Sequence, residues 1–344
     1  MSISVLIVDD SRFIQRVLDA RLSRESDIEV VGYACDAQEA RKMMRALDPD
    51  VVTLDVEMPG MDGLSFLQKI MELRPTPVII VSGSTQAGTA TTAKALQLGA
   101  VSCYAKDASN GGLPDDDGGE LANLVRAAAQ VTFGQPQERN SLSTSFTARL
   151  PAVRPELIVL GSSTGGVEAL RQILPQLPAH CPPTVVVQHI NASFASAIAQ
   201  SLNDLCQAKM VLAENLTMLQ PGHIYLAPGD ERHLRVARCE NGGIRLSLRS
   251  GEPISGHRPS VDALFHSAAS EFGSKVLGAL LTGMGQDGAA GLLAMKHAGA
   301  VTIAQDAQSS VVFGMPRAAI EMGAAQCVLP LTEISNHLAR VSSL

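Results

Sequence analysis

Short apolar runs alternate with amphipathic stretches along the first 130 residues. The apolar runs predict strands at 5–8, 29–33, 51–54, 78–81 and 101–105, and the amphipathic stretches predict helices at 13–22, 37–46, 64–73, 90–98 and 121–133. Buried strands that alternate with helices are typical of a doubly wound parallel sheet, which binds ligands at the carboxyl ends of its strands. The polar segment 109–120 is expected to be a surface loop.

Residues 134–154 have no periodicity, are rich in Gln, Pro, Ser, Thr and Arg, and have the composition of a linker. The alternation of apolar runs and amphipathic stretches resumes after them. Beyond this linker, strands are predicted at 157–160, 185–188, 223–226, 276–281 and 301–304, with a hairpin within 234–248 around Asn241. The predicted organisation is therefore a domain at 1–133, a linker at 134–154 and a second α/β domain at 155–344.

Charged and hydroxyl side chains follow the predicted strands of the first domain. Asp9 and Asp10 follow the first strand, Asp55 the third, Ser82 the fourth and Lys106 the fifth. Carboxylates about 4 Å apart repel each other by roughly 4 kcal/mol at an effective dielectric near 20, so such a cluster favours Mg²⁺ with oxygen ligands. Any one of these residues alone could be a solvated loop residue, but five together at one sheet edge indicate a phosphate site.

These residues, with the loop at 58–63, make residues 3–133 resemble the flavodoxin-like receiver domain of two-component response regulators. The resemblance implies phosphotransfer from a histidine kinase to Asp55. It also implies Mg²⁺ held by Asp10, Asp55 and the carbonyl of Glu57, with Asp9 nearby.

The same resemblance implies a switch that works through Ser82 and Lys106, with Tyr104 in the place of the family's rotating aromatic residue. Asp107 stands where many receivers have proline, which affects the shape of that turn and not the chemistry.

A glycine-flanked serine, Ser163, lies in the turn 161–166 between the strand at 157–160 and a helical stretch at 167–174. A tight strand-to-helix turn exposes the hydroxyl and directs helix N–H groups toward it. The alternatives are a plain βα turn or an anion-binding glycine loop. Nucleotide binding is weakly supported, because neither G-x-G-x-x-G spacing nor a Gly-Lys-Ser/Thr sequence is present.

A nucleophilic serine needs a base and an orienting carboxylate. His189 ends a buried strand and is favoured as the base, with the loop residue His257 as its rival. Asp287 and Asp306 both follow strands and are the candidate carboxylates. The backbone N–H of Met284, in a glycine-rich loop, is a candidate oxyanion donor.

The chain order Ser, His, Asp differs from the order in α/β-hydrolases, chymotrypsin and subtilisin.

Residues 156–341 resemble the Rossmann-like catalytic domain of the CheB family of chemotaxis protein-glutamate methylesterases. The motifs that carry this resemblance are 161–166, 188–189, 257–262, 282–288 and 313–317. By this resemblance the catalytic residues are Ser163, His189 and Asp287. Ser162 and Gln286 are mild departures, and Ser162 adds a second hydroxyl.

The resemblance implies a phosphorylation-activated serine hydrolase of chemotaxis adaptation. Its substrates would be glutamate methyl esters on chemoreceptors, its products glutamate and methanol, and no cofactor is expected for the hydrolysis. Some family members also deamidate receptor glutamines. The receiver is expected to restrain the esterase until Asp55 is phosphorylated. The rival functions are a phosphorylation-controlled binding protein and a serine peptidase or small-molecule esterase.

Composition and charge exclude several further classes of protein function. The formal net charge is −7 and all of it lies before residue 127, where 12 basic residues face 19 acidic ones. Neither part has the excess of Lys and Arg that nucleic-acid binding requires. The six cysteines are scattered without a metal-binding pattern and are expected to be reduced. With no signal peptide or apolar span in the sequence, a cytoplasmic protein without membrane insertion is expected.

Overall fold

The computed structural model describes residues 2–58, 63–83, 86–106, 117–131, 153–240 and 242–344, with the backbone alone at 86–88. It divides into two compact units, Met1–Gly134 and Gln135–Leu344. The loop residues 59–62, the polar segment 107–116 with Asp107, most of the predicted linker and Asn241 lie outside the described residues. Within the described residues, no helix combines the length and apolar content needed to cross a membrane.

The first unit is a parallel sheet in the order β2-β1-β3-β4-β5. Its elements are β1 (Ile3–Val8), α1 (Arg12–Leu22), β2 (Ile28–Ala34), α2 (Ala37–Leu47), β3 (Val51–Asp55), α3 (Gly63–Leu73), β4 (Val78–Gly83), α4 (Gln86–Gln97), β5 (Ser102–Lys106) and α5 (Glu120–Ala128). The central strand β3 is buried along its whole length, as expected of a strand covered on both faces. The prediction of a doubly wound sheet is confirmed.

The second unit contains a seven-stranded parallel sheet in the order β14-β13-β12-β6-β7-β9-β8 and a two-stranded antiparallel ribbon, β10-β11. Its strands are β6 (Leu157–Ser162), β7 (Thr184–Gln188), β8 (Lys209–Leu212), β9 (His223–Leu226), β10 (Arg232–Arg238), β11 (Ile244–Ser250), β12 (Val276–Leu280), β13 (Val301–Gln305) and β14 (Cys327–Leu329). Its helices are α6 (Gly166–Ile173), α7 (Ala192–Asn203), α8 (Val261–Phe272), α9 (Ala289–His297), α10 (Met315–Glu321) and α11 (Leu331–Ser342).

The strand order reverses at β6, which lies between β7 and β12. Ser162 of β6 is in register with Gln188 of β7, and Gly161 is in register with Leu280 of β12. The loops that follow these three strands therefore meet at one point of the carboxyl edge, which is where doubly wound sheets bind their ligands. The short strands β8 and β14 form the two edges of the sheet and have no counterpart among the predicted strands.

Two glycines let helix α8 begin against this edge. A Cβ atom at Gly161 would lie 2.2 Å from Cγ1 of Val261, the first residue of α8, and one at Gly288 would lie 2.7 Å from the same atom. Gly161 is therefore required for space, whereas Gly165 of the same turn has the left-handed φ of +76° that favours glycine.

We predict that Gly288→Ala destabilises the protein more than Gly323→Ala. Both glycines have left-handed φ angles, +88° and +68°, so both substitutions impose backbone strain of about 1–2 kcal/mol. Only Gly288 is surrounded by side chains, whereas nothing lies within 4 Å of a Cβ atom at Gly323, so overpacking adds about 1–3 kcal/mol for Gly288 alone. Urea unfolding measures both, and equal losses of free energy would contradict the packing of α8 described here.

Candidate active site

The serine turn joins β6 to α6. The N–H of Ser163 donates to the carbonyl of Thr282 at 2.9 Å, and the N–H of Gly166 donates to the carbonyl of Ser163 at 2.7 Å. These bonds fix the backbone of Ser163 between β7 and β12, and its side chain is half-buried. A Cβ atom at Gly283 would lie 2.6 Å from Cβ of Ser163, so the glycine-rich loop after β12 packs directly against the serine.

The neighbouring hydroxyl, that of Ser162, is already occupied. It is fully buried and donates to Oε1 of Gln188 at 2.6 Å. Nε2 of Gln188 in turn donates to the carbonyls of Ser163 and His189 at 2.8 and 3.0 Å. Gln188 therefore ties the serine turn to the end of β7, and the side chain of Ser162 serves this contact, which leaves Ser163 as the serine open to a substrate.

His189 lies beside Ser163 at the end of β7. Its N–H donates to the carbonyl of Ser162 at 3.0 Å, and its ring Nε2 lies 2.8 Å from Oδ2 of Asp287. Because a carboxylate only accepts hydrogen bonds, the ring proton of the neutral imidazole belongs on Nε2, and Nδ1 carries a lone pair. Nδ1 is buried and has no hydrogen-bond partner among the described residues. The free lone pair of Nδ1 is what a general base requires.

Asp287 is fully buried and accepts four hydrogen bonds. Oδ1 accepts from the hydroxyl of Ser260 at 2.7 Å and from the N–H of Asp262 at 3.0 Å, and Oδ2 accepts from the N–H of Val261 at 2.7 Å as well as from His189. Ser260 is the N-cap of α8, so the carboxylate occupies the N-terminus of that helix, where a negative charge is stabilised. The contact of Ser260 with Asp287 could not be predicted from the sequence, although Ser260 lies within the 257–262 motif.

The charge on Asp287 follows from these contacts. Burial by itself would raise the pKa of its carboxyl, but the hydrogen bonds from His189 and from the start of α8 outweigh burial, so this pKa lies below its ordinary value. The alternative carboxylate, Asp306, instead accepts from the N–H and the hydroxyl of Ser309 in its own loop, at 2.9 and 2.6 Å. The structure therefore pairs Asp287, and not Asp306, with His189.

The backbone N–H groups of Thr164 and Met284 are among those near Ser163 that have no acceptor in the described part of the chain. Thr164 directly follows the serine, and Met284 follows Gly283, which packs against it. The loop that carries Met284 is held by Thr282, whose N–H donates to Oε1 of Gln305 at 2.8 Å. These N–H groups can serve as oxyanion donors.

The rival base, His257, also lies at this site. Its ring stacks on that of His189 with the ring centroids 3.8 Å apart and an interplanar angle of 13°. From the sequence, His257 is predicted only as a rival base to His189, and the stacking contact could not be read from it.

The first unit gathers its predicted residues at the carboxyl edge of its sheet. Oδ2 of Asp55 and Oδ2 of Asp9 each lie 2.7 Å from Nζ of Lys106, and Oδ1 of Asp55 accepts from the N–H of Glu57 at 2.9 Å. Ligand oxygens of Asp9, Asp10 and Asp55 lie within 4.8 Å of one another. Such an all-oxygen donor set fits Mg²⁺.

Burial and the ion pairs of Lys106 act in opposite directions on the pKa values in this acidic pocket. It raises the pKa of Asp9, and the nearby Lys106 offsets only part of the increase. Burial would lower the pKa of Lys106, but the carboxylates of Asp55 and Asp9 outweigh it and raise that pKa above its ordinary value. Lys106 is therefore a cation held between two carboxylates.

The predicted switch residues lie on the neighbouring strands. Ser82 is fully buried in β4, and its partner in the register of the sheet is Ala105 of β5. Tyr104 is buried with 2% of its surface exposed, and its hydroxyl donates to Oδ2 of Asp117 at 2.7 Å while accepting from Arg21. The contacts of Arg21 and Asp117 with Tyr104 could not be read from the sequence.

We predict that Asp287→Asn destabilises the protein by about 2–4 kcal/mol. In asparagine, an NH2 group replaces one of the two carboxylate oxygens, and an NH2 group cannot accept hydrogen bonds. The two donors that now bond to that oxygen would therefore be left without an acceptor in the interior. The matched control is Asp306→Asn. Among the described residues, the side chain of Asp306 is bonded only to Ser309 in its own loop, and the residue is half-buried, so we expect this change to cost less than about 1 kcal/mol. Urea unfolding at pH 7 measures both variants.

The difference in unfolding free energy between the native protein and Asp287→Asn is expected to depend on pH. Since folding lowers the pKa of Asp287, its ionised form stabilises the fold above about pH 4, and the contribution is lost as the pH falls through the folded pKa. The difference between the native protein and Asp287→Asn should therefore shrink below about pH 4. A difference that grows on acidification would show that the carboxylate is not ionised in the folded state.

Comparisons with known proteins show the family of each domain. The family model of the CheB methylesterase matches residues 158–338, and that of the response regulator receiver domain matches residues 5–127. A solved structure, the catalytic domain of the CheB methylesterase of Thermotoga maritima, is 38% identical, covers 55% of this chain and 100% of its own, and aligns with a TM-score of 0.53.

Curated relatives match nearly the whole chain. One from Caulobacter vibrioides, named protein-glutamate methylesterase/protein-glutamine glutaminase 1, is 47% identical over 99% of this chain and 98% of its own length. One from Agrobacterium fabrum, named protein-glutamate methylesterase/protein-glutamine glutaminase, is 44% identical over 98% and 96%. The chain therefore belongs to the CheB methylesterase family and carries a response regulator receiver domain on the N-terminal side of its esterase domain.

Proposed function

We propose that this protein is a phosphorylation-activated protein-glutamate methylesterase, which hydrolyses glutamate methyl esters on chemoreceptors to glutamate and methanol. The observation that carries the proposal is that a half-buried serine, an imidazole with a free buried lone pair and a carboxylate bonded to that imidazole lie at one sheet edge. The same arrangement supports deamidation of receptor glutamines as a second activity, and the names of the curated relatives include a glutaminase.

In the first half of the reaction, Oγ of Ser163 attacks the ester carbonyl carbon and Nδ1 of His189 takes the hydroxyl proton. Asp287 holds the ring proton on Nε2 and stabilises the imidazolium that forms. The N–H groups of Met284 and Thr164 bind the oxyanion. Methanol leaves with the proton from His189, and an acyl-enzyme remains on Ser163.

In the second half, His189 takes a proton from water as the water oxygen attacks the acyl-enzyme carbonyl carbon. The bond from that carbon to Oγ of Ser163 then breaks, His189 returns the proton to Oγ, and glutamate is released. Every proton is carried by the imidazole, so the hydrolysis needs no cofactor. For a glutamine substrate the same steps apply, with ammonia as the leaving group and the same glutamate product.

The receiver controls this activity in our proposal. A chemotaxis histidine kinase supplies the phosphoryl group to Asp55. Asp10, Asp55 and the carbonyl of Glu57, with Asp9 nearby, would hold Mg²⁺, which would supply positive charge for the phosphoryl oxygens. Lys106 and the hydroxyl of Ser82 then bind the phosphoryl oxygens, and this contact couples phosphorylation to the buried Tyr104.

We predict that Ser163→Ala lowers the rate of methanol release from methylated receptor by at least about 10³-fold, because the nucleophile is lost. Ser162→Ala, the matched control one residue earlier, should lower it by less than about tenfold, since that hydroxyl only bonds to Gln188. Methanol is measured directly. Activity that survives in Ser163→Ala, or that is lost equally in both variants, would refute the assignment of the nucleophile.

This experiment also separates the rival functions. A phosphorylation-controlled binding protein would release no methanol at all. A small-molecule esterase or a peptidase would show Ser163-dependent hydrolysis of simple esters or peptides and none of methylated receptor.

We predict that a small-molecule phosphodonor with Mg²⁺ raises the rate of methanol release by about ten- to a hundredfold, which corresponds to about 1.4–2.8 kcal/mol. Asp55→Asn should abolish this increase and retain the basal rate, and chelation of Mg²⁺ should have the same effect on the native protein. Asp48→Asn, whose side chain forms a surface ion pair with Arg74, is the control that should keep the increase. Stimulation that persists in Asp55→Asn would exclude this residue as the phosphoacceptor.

A further inference from the structure

The loop before α8 carries His257 on a tight turn. The N–H of His257 donates to the carbonyl of Ile254 at 2.9 Å, and the N–H of Ile254 donates to the carbonyl of His257 at 3.1 Å. The two residues between them, Ser255 and Gly256, have left-handed φ angles of +52° and +80°. Two reciprocal hydrogen bonds around two left-handed residues define the backbone position of His257.

This turn is also tied to the helix that holds the carboxylate. The hydroxyl of Ser255 donates to Oδ2 of Asp262 at 3.3 Å, and the N–H of Asp262 donates to Asp287. One helix start therefore fixes two groups around His189: Asp287, at the Nε2 edge of the imidazole, and His257, on its face. An edge contact and a face contact together define both the position and the plane of the ring.

The two rings are close enough to interact electronically. Their centroids lie 3.8 Å apart and their planes are nearly parallel, at 13°. A cation within about 6 Å of the centroid of a neutral aromatic ring is attracted to its π electrons, and the attraction is greater where water is excluded. The side chain of His189 is only 9% exposed. When His189 takes the serine proton, the resulting imidazolium faces the ring of His257.

Such an attraction requires that His257 is neutral. Burial first, and then the proximity of His189, lower the pKa of His257 to about 4, although the carboxylate of Asp287 acts in the opposite direction. The other carboxyl near this turn, that of Asp262, has its pKa raised by burial. His257 is thus uncharged at the neutral pH at which His189 acts as a base.

We propose that His257 is a positioning residue of the esterase: its neutral ring fixes the plane of the His189 imidazole and stabilises the imidazolium formed in the transition state. This role rests on the proposed function of Ser163, His189 and Asp287. It assigns the contribution of His257 to its aromatic face and not to a proton that it donates or accepts.

Two variants distinguish the contribution of the aromatic face of His257 from that of its ring nitrogen atoms. His257→Phe keeps an aromatic face and has no titratable group, whereas His257→Leu keeps an apolar side chain and loses the face. We expect His257→Leu to lower kcat for methanol release about 5- to 30-fold with KM unchanged, and to shift the acidic limb of the kcat profile to lower pH. His257→Phe should keep kcat within about threefold and leave the acidic limb in place.

Each outcome decides the proposal. Native kcat in His257→Leu, or equal losses in His257→Leu and His257→Phe, would overturn it, and complete inactivity of His257→Phe would instead make His257 a base. Urea unfolding of both variants shows whether they are folded. If neither retains a native transition, His257→Tyr, which keeps the aromatic face and adds a polar group, replaces His257→Phe and must keep the native kcat and acidic limb.

A second readout does not depend on the receptor substrate. A fluorophosphonate reacts covalently with an activated serine, so its rate of labelling of Ser163 reports on the base His189. We expect the same order, native and His257→Phe above His257→Leu. If the labelling follows this order while methylated receptor releases no methanol, the positioning role stands and the proposed substrate is wrong.

Discussion

The carboxylate of Asp287 at the N-terminus of α8 is the interaction on which the site of this protein depends. A buried carboxylate without partners would cost several kcal/mol. Here one side-chain hydroxyl, two backbone N–H groups and one imidazole N–H bond to it. These donors keep the charge in place, and the charge in turn sets which nitrogen of His189 carries the proton. The lone pair left on Nδ1 is therefore a consequence of how α8 begins.

The sheet makes this contact available. Strands β7, β6 and β12 are neighbours at the point where the strand order reverses, so residues far apart in sequence follow adjacent strand ends. Gly161 and Gly288 leave room for Val261, which brings the start of α8 to that edge. The Ser, His, Asp order along the chain needs no special explanation, because it reflects only the order in which β6, β7 and β12 occur.

Both domains, their parallel sheets and the strand ends that carry polar groups could be predicted from the sequence, because buried parallel strands are continuous apolar runs. The edge strands β8 and β14 could not, since they have four and three residues and only partly buried faces. At the site, His189 and Asp287 could be placed at strand ends. The choice of Asp287 over Asp306 from residues alone could not be made, because both follow strands. The contacts that Ser260 and His257 make at the site could not be predicted either. Ser260 lies at the start of a helix and His257 in a loop, and tertiary packing decides how close these segments come to Asp287 and His189.

The central claim is that the proton of the neutral His189 imidazole resides on Nε2, toward Asp287, and that Nδ1 is free for Ser163. Nitrogen-15 NMR of the histidine side chains measures this directly, with His189 assigned by comparison with His189→Gln. We expect a protonated Nε2 and an unprotonated Nδ1 when the ring is neutral. A neutral ring with its proton on Nδ1 would contradict the account, because its lone pair would then face a carboxylate and Nδ1 could not take the serine proton.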